Sequence, residues 1–316
     1  MARKPYRVLE ADDVHVEVAV RPPQTAGRLL AEMGLSRPGR AAVFAGRRLS
    51  REGRPLAHGD RLASGDVVTL ELEAADAPFP DCEAATVLWE DPLGLALVAE
   101  KPQGLLVHGD GSGAETLTDR VQAHLADEGR VRVAQAVQRL DVGTSGCVLF
   151  SLAPEFQPLW DEAVAGADVE KRYLAVLAGT LPGDVTVTEP IGRDRHDAHR
   201  MRVSATGKPA ETRFAVVETR TVPGIGPVTL VEAQILSGRR HQIRVHAAHL
   251  GTPVVGDEWY DGSMWDDGLL LHAWRETFAH PLTGERVTVE SPVPPRIAAL
   301  FPDACVKANC PRSSPR

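Results

Sequence analysis

From residue 86 onward the chain reads as short apolar runs cut by turn residues. "ATVLWED", "LALVAE", "GCVLFS", "RYLAVLAG", "TLVEAQIL" and "RVTVE" carry β-branched, aromatic and other apolar residues and are bounded by Gly, Pro, Asp or Ser, which predicts strands. Helical patterning is confined to a few places. "TLTDRVQAHLADEG" offers Thr116 or Thr118 as an N-cap, and "RRHQIRVHAAHLG" ends at Gly251, a residue suited to close a helix. Strands in long succession with two or three helices between them argue against regular βαβ winding and predict an α+β domain.

The first seventy residues have a different rhythm. Within 25 to 73, a helical pattern runs through Leu29, Leu30 and Met33 to Gly34, Ser36 opens a second helix, and short strands follow with Gly and Asp at the turns. "LASGDVVTLEL" reads as a turn and a strand. The stretch "EAADAPFPDCEAAT", rich in Ala and Pro and without basic residues, reads as a linker. The expected organisation is therefore a small α+β domain with its linker over 1–80, a large domain over 81–300, and a disordered tail over 301–316 ending in "CVKANCPRSSPR".

Composition narrows the class without deciding it. The chain has 316 residues, 43% of them hydrophobic and 25% charged, as ordinary globular proteins do, so neither a disordered nor a membrane protein is expected. No apolar core follows the basic N-terminal residues and no run is long enough to cross a bilayer, so no signal peptide or anchor is expected, and the chain is expected to be a cytoplasmic monomer. Four scattered cysteines, Cys82, Cys147, Cys305 and Cys310, fit a reducing compartment, and the "CVKANC" pair has no third metal ligand nearby. The net charge of −8 argues against indiscriminate nucleic-acid binding. Its distribution is uneven, however: residues 76–135 hold 4 basic and 11 acidic side chains, whereas 190–250 hold 10 basic and 5 acidic with five histidines besides. A local polyanion-binding face is compatible with that asymmetry.

The candidate chemistry starts at "VQRLDVGTSGCVLF", residues 137–150, where Asp141 sits in an apolar frame before a Gly/Thr/Ser turn. A buried carboxylate without a partner takes up a proton, so an ionised one there needs a cation elsewhere. Two tempting alternatives fail. The glycines of "EKPQGLLVHGDGSGAETLTD" match neither the dinucleotide nor the Walker spacing. His246 and His249 would share a helix face, but His241 would lie about 140° from His246 and no carboxylate completes a zinc triad. No metal is expected.

Five blocks in order, "EKPQGLLVH", "QRLDVGTSG", "KRYLAVLAG", "GRRHQIRVHAAHLGTPVVGDEWY" and "LLLHAWRETFAHPLTGE", resemble the successive signatures of the RluA family of RNA pseudouridine synthases, over roughly residues 86 to 290. The unit at 25–73 resembles the alpha-L RNA-binding motif. The resemblance implies a core built on a mixed, largely antiparallel sheet with flanking helices. It implies isomerisation of uridine in structured rRNA or tRNA with no cofactor. Asp141 then corresponds to the catalytic aspartate, Arg244 to the arginine that pairs with it, Tyr173 to the tyrosine that contacts the base, and Leu271 to the apolar residue packed against it. Lys171 and Arg139 become candidates for reaching RNA phosphates or filling the gap of an extruded base.

The residues suit that chemistry in their own right. The reaction needs a carboxylate that attacks or stabilises a charged sugar beside a dry pocket, and a guanidinium stays charged while orienting both carboxylate oxygens. One departure stands out: most relatives have histidine where this chain has Gln138, which hydrogen-bonds but cannot become cationic. "VHGDG" also replaces the commoner "VHPG". RNA contacts are expected from "RDRHDAHRMRVSATGKPAETR" over 193–213 and from Arg37, Arg40, Arg47 and Arg48. The competing reading is an RNA-binding or assembly factor that keeps the fold without turnover. A histidine-based metal hydrolase is the third, and it lacks a ligand set.

Overall fold

The computed structural model describes residues 4–73, 80–166, 169–197 and 199–302. The chain opens with β1 (Tyr6–Ala11) and β2 (His15–Val20), then β3 (Gln24–Thr25), α1 (Ala26–Glu32), α2 (Arg37–Ala45), β4 (Leu49–Arg51), β5 (Arg54–Pro55), β6 (Arg61–Leu62) and β7 (Val67–Glu71). Thr25 caps α1 and Ser36 caps α2 through their side-chain oxygens, and Gly34 turns the chain between the helices with φ +85°. The sheet runs β1-β2-β7-β4-β5. Its first hairpin was not expected from the pattern, although "HVEVAV" alternates half-buried and buried residues along β2.

The remaining elements are β8 (Val87–Glu90), β9 (Ala96–Lys101), α3 (Leu117–Asp127), β10 (Gln135–Ala136), β11 (Ser145–Ser151), α4 (Gln157–Ala165), β12 (Glu170–Ala178), β13 (Val185–Val187), β14 (Ile191–Arg193), β15 (Met201–Val203), β16 (Thr212–Val222), β17 (Gly226–Ile235), α5 (Gln242–His249), β18 (Leu271–Ala279), β19 (Arg286–Glu290) and α6 (Pro295–Ala298). Ten of these strands form one sheet along the path β13-β16-β17-β12-β18-β11-β9-β8, with β10 on β11 and β19 on β18. β11 and β18 pair in parallel and the other pairs of this sheet are antiparallel, so the sheet is mixed and largely antiparallel and the class is α+β.

Period-two alternation assigns the faces. Leu97 and Ala99 of β9 pack with Val148 and Phe150 under Leu117, Val121 and Leu125 of α3, while Ala96 and Val98 face Trp160 of α4 on the opposite side. α3 starts where expected: Thr116 and Asp119 exchange hydrogen bonds in a capping box. On β12, Tyr173, Ala175 and Leu177 face Ile243 and Ala247 of α5, and Leu174 and Val176 face Ile297 and Phe301. Phe301 thus belongs to the core rather than to the expected tail, because burying its ring removes a large apolar surface from water. Residues 303–316, including Cys305 and Cys310, lie outside the described residues, as do 74–79 of the expected linker.

The two sheets share a core. Leu29, Leu30 and Met33 pack in one cluster with Leu95, Phe156 and Leu282, and Arg48 donates 2.8 Å to Glu155 across the junction. Gly146 fixes the centre of the large sheet. It has φ +115°, and a Cβ there would lie 2.1 Å from the Ala273 carbonyl oxygen. The absent side chain lets β11 approach β18 closely.

Candidate active site

Asp141 lies in the loop between β10 and β11, and its side chain is 24% exposed, less buried than its apolar frame suggested. The loop is stapled from below. Lys101, at the end of β9, is buried and donates to the carbonyls of Pro102 (2.9 Å), Val142 (3.0 Å) and Thr144 (2.7 Å). Burial pushes the Lys101 ammonium down to about 7, and the Asp141 carboxylate opposes that shift.

Arg244 projects from α5 and brings a second acid with it. Its Nη1 donates to Asp141 Oδ2 at 3.0 Å, while Nε and Nη2 donate to Asp257 Oδ2 and Oδ1, both at 2.7 Å. The expectation that the guanidinium fork would clasp both oxygens of Asp141 is therefore corrected. The fork closes on Asp257, whose side chain is 0% exposed and needs both bonds, and Asp141 receives one N–H of Nη1. Burial works against the Arg244 charge, but the two carboxylates outweigh it and raise its pKa. Gly256 makes room for this turn: a Cβ there would lie 2.0 Å from the Gly268 carbonyl oxygen.

His241 is not on the helix where its spacing seemed to place it. It caps α5 in the left-handed region at φ 56°, and its Nε2 faces Asp141 Oδ1 at 3.8 Å. Its Nδ1 lies 2.8 Å from the Tyr260 hydroxyl, which accepts from the Met201 N–H at 2.8 Å. The tautomer that satisfies every partner has Tyr260 donating to Nδ1 and the imidazole proton on Nε2, toward Asp141. Burial lowers the His241 pKa to about 4, so this ring is neutral at pH 7. Trp259, 38% exposed, packs against His241 in a tilted arrangement with centroids 5.0 Å apart. His246, by contrast, is a satisfied core residue, bonded to Thr212 and to the Glu189 carbonyl.

These groups open on a cavity of about 320 Å³, at the small end of ligand sites. All seven residues singled out from the sequence line it: Gln138, Arg139, Asp141, Lys171, Tyr173, Arg244 and Leu271. Tyr173 and Leu271 supply buried apolar wall, and burial together with the Glu276 and Asp141 carboxylates raises the Tyr173 pKa, so it is a neutral phenol. Arg139 is exposed at the edge. Lys171 and Gln138 are buried beside Glu276, which the sequence reading missed. Asp257, His241 and Tyr260 were missed as site residues too.

The chain and its fold are similar to known proteins. A family profile for RNA pseudouridylate synthase matches residues 96–249. A ribosomal large subunit pseudouridine synthase D of Xanthomonas campestris is 33% identical over 260 residues, which cover 77% of this chain and 76% of that protein. The chain belongs to the RluA family of RNA pseudouridine synthases. An uncharacterised RNA pseudouridine synthase of Bacillus subtilis, YhcT, is 33% identical over 235 residues, 73% of this chain and 76% of that protein. The solved structure of human RNA pseudouridylate synthase domain containing 1 matches with a TM-score of 0.58 at 27% identity, over 75% of this chain and 99% of that one. This pseudouridine synthase is thus an isomerase acting on RNA.

One further cluster has ligand-like geometry. Glu90, His124 and Glu128 converge near the surface, but Arg130 already pairs with Glu90 and approaches Glu128 at 3.8 Å, which supplies the positive charge a metal would bring. Among the described residues no helix is long and apolar enough to cross a membrane.

Proposed function

We propose that this chain converts specific uridines of structured ribosomal RNA to pseudouridine, with Asp141 acting on the glycosidic bond. The convergence of Asp141, Tyr173 and Arg244 on one cavity carries the reading. Asp141 attacks or stabilises the charged centre, Arg244 holds it in place, and Tyr173 offers a flat wall and a phenolic proton to the base. The reaction exchanges one bond of ribose for another without net oxidation, so it needs no cofactor and no metal. Ribosomal RNA is favoured over tRNA by relatives named ribosomal large subunit pseudouridine synthase D.

The target nucleotide is extruded from its stack, at a cost of about a few kcal/mol that phosphate contacts offset. The β14–β15 hairpin supplies exposed Arg193, Arg195 and Arg202, and Met201 ties that hairpin to Tyr260 beside the site. The 1–80 unit is the second RNA contact, through exposed Arg37 and Arg47. Arg48 is committed to Glu73 and Glu155, and Arg40 to the Leu35 carbonyl. The reading places a monomer with its RNA in the cytoplasm.

The test is deletion of the gene, pseudouridine mapping across total RNA, and complementation. One or more rRNA positions should lose pseudouridine, regain it with the wild-type gene, and stay unmodified with Asp141→Asn. An unchanged map on deletion would favour the inactive assembly factor. Full activity of the purified protein in a chelator is expected.

A further inference from the structure

At the cavity wall lies a charged cluster, two of whose members line the cavity and the third of which sits behind it, that the proposed chemistry leaves unused. Lys171 of β12 and Glu276 of β18 are cross-strand partners and are only 8% and 2% exposed. Gln138 completes the group, its Nε2 donating to Glu276 Oε1. Burial raises the Glu276 pKa to about 7, against the opposing pull of the Lys171 charge and the Gln138 hydrogen bond; in its ionised form the carboxylate only accepts, and this bond then dictates which way the amide faces. The amide carbonyl, Gln138 Oε1, is left buried with no partner, on a side chain 9% exposed that lines the cavity together with Lys171. Glu276 Oε2 is likewise buried without a partner, and buried acceptors are seldom left unpaired without a reason.

We propose that Gln138, oriented by Glu276, accepts a hydrogen bond from uracil N3–H while Lys171 donates to a flanking carbonyl oxygen, so that the pair selects uracil and holds it through its rotation. The proposal rests on the uridine-isomerising reading above. The polar edge of uracil presents an acceptor at O4, a donor at N3 and an acceptor at O2. In the reaction the C1′–N1 bond breaks, the ring turns half a revolution about its N3–C6 axis, and C1′–C5 forms; the C5 proton leaves and N1 gains one. That rotation exchanges N1 with C5 and O2 with O4, and leaves N3 in place. One acceptor at N3–H therefore keeps its bond before and after the turn, and the ammonium meets a carbonyl oxygen in both orientations. Cytosine would oppose Gln138 Oε1 with the N3 lone pair and Lys171 with an amino group, leaving buried polar groups unmatched. Glu276 does not touch the base in this arrangement. It is a positioning residue.

The test uses an RNA fragment carrying a mapped uridine, and the same fragment with cytidine at that position. Turnover is read as tritium release from 5-tritiated uridine, and binding is compared in an Asp141→Asn background so that no product forms. The uridine fragment should bind at least about tenfold more tightly than the cytidine fragment. Gln138→Met keeps the volume and removes the acceptor; it should close most of that gap and lower kcat/KM by about tenfold. Glu276→Gln can bond Gln138 whichever way the amide faces, so it should fold and yet narrow the preference. An unchanged uridine preference in Gln138→Met overturns the proposal, and an unchanged preference in Glu276→Gln removes Glu276 from it. A wild-type protein that releases tritium without preferring uridine over cytidine also overturns it. No tritium release from the wild-type protein on any mapped RNA would sink the isomerase reading itself.

Discussion

Replacing Asp141 and Asp257 separately by Asn distinguishes two carboxylates that share one cation. Asp257 is completely buried and makes two bonds of 2.7 Å to Arg244, whereas Asp141 is 24% exposed and makes one of 3.0 Å. Removing one partner of a buried ion pair strands the other charge, at about 3–5 kcal/mol. Removing a partly solvated single contact costs about 1 kcal/mol or less. Asp257→Asn should therefore lose about 3–5 kcal/mol of stability in urea unfolding, while Asp141→Asn stays within about 1 kcal/mol of wild type. Tritium release at a temperature where all three proteins are folded should give the opposite ranking: none from Asp141→Asn, and a reduced rate from Asp257→Asn, whose Arg244 has lost the bonds that aim it. Equal destabilisation by the two substitutions would refute the division of labour, as would an Asp257→Asn protein as stable as wild type.

Three shorter predictions probe the frame around that pair. Lys101→Met frees the carbonyls of Val142 and Thr144 beside Asp141, and a misplaced reactive group is expected to lower kcat about 10²-fold with RNA affinity in filter binding little changed. The His241 pKa falls from 6.5 to about 4 on folding, so between those values the unfolded chain binds a proton that the native chain does not. Stability should then decline as pH drops from 6.5 to 4, by on the order of 2–3 kcal/mol from this residue, and His241→Asn, which tolerates the left-handed backbone, should flatten that part of the urea-unfolding profile. Gly146→Ala would drive a methyl group into the Ala273 carbonyl at a backbone angle that L residues avoid; a loss above about 3 kcal/mol, seen as loss of soluble folded protein by circular dichroism, is expected.

How much of this could be read from sequence varied with the range of the signal. The strands around Asp141 and Tyr173 and the cap of α3 were legible because alternation and capping are local. Arg244 was reached only through resemblance, since nothing nearby pairs it with a residue a hundred positions earlier. Asp257 stood in the block "GTPVVGDEWY" yet was missed, because its role depends on a three-body contact. A signal existed: a buried arginine is hard to satisfy with one carboxylate that must also react. Glu276 was also visible in principle. Lys171 and Glu276 are charges buried inside strands whose buried positions are mostly apolar, and two opposite charges in core strands suggest that the strands pair. His241 was misplaced because its spacing looked helical, whereas its backbone turns left-handed one residue before the helix begins.

The double acid also suits the role proposed for Asp141 beside a buried cation. On the proposed mechanism the Asp141 carboxylate loses or shares its charge as it engages the substrate. Were it the sole partner of Arg244, that moment would leave a buried guanidinium unpaired, at a cost of several kcal/mol added to the barrier. Asp257 keeps the cation paired throughout by two bonds that Asp141 does not compete for. The third N–H can then loosen or tighten with the charge on Asp141 without disturbing the position of Arg244. On this argument Arg244→Lys should fail even though it preserves the charge, because a single ammonium cannot hold Asp257 in a fork and also reach Asp141. A lysine variant that folds and retains more than about a tenth of wild-type kcat would show that charge alone suffices and that the fork has no part in the reaction.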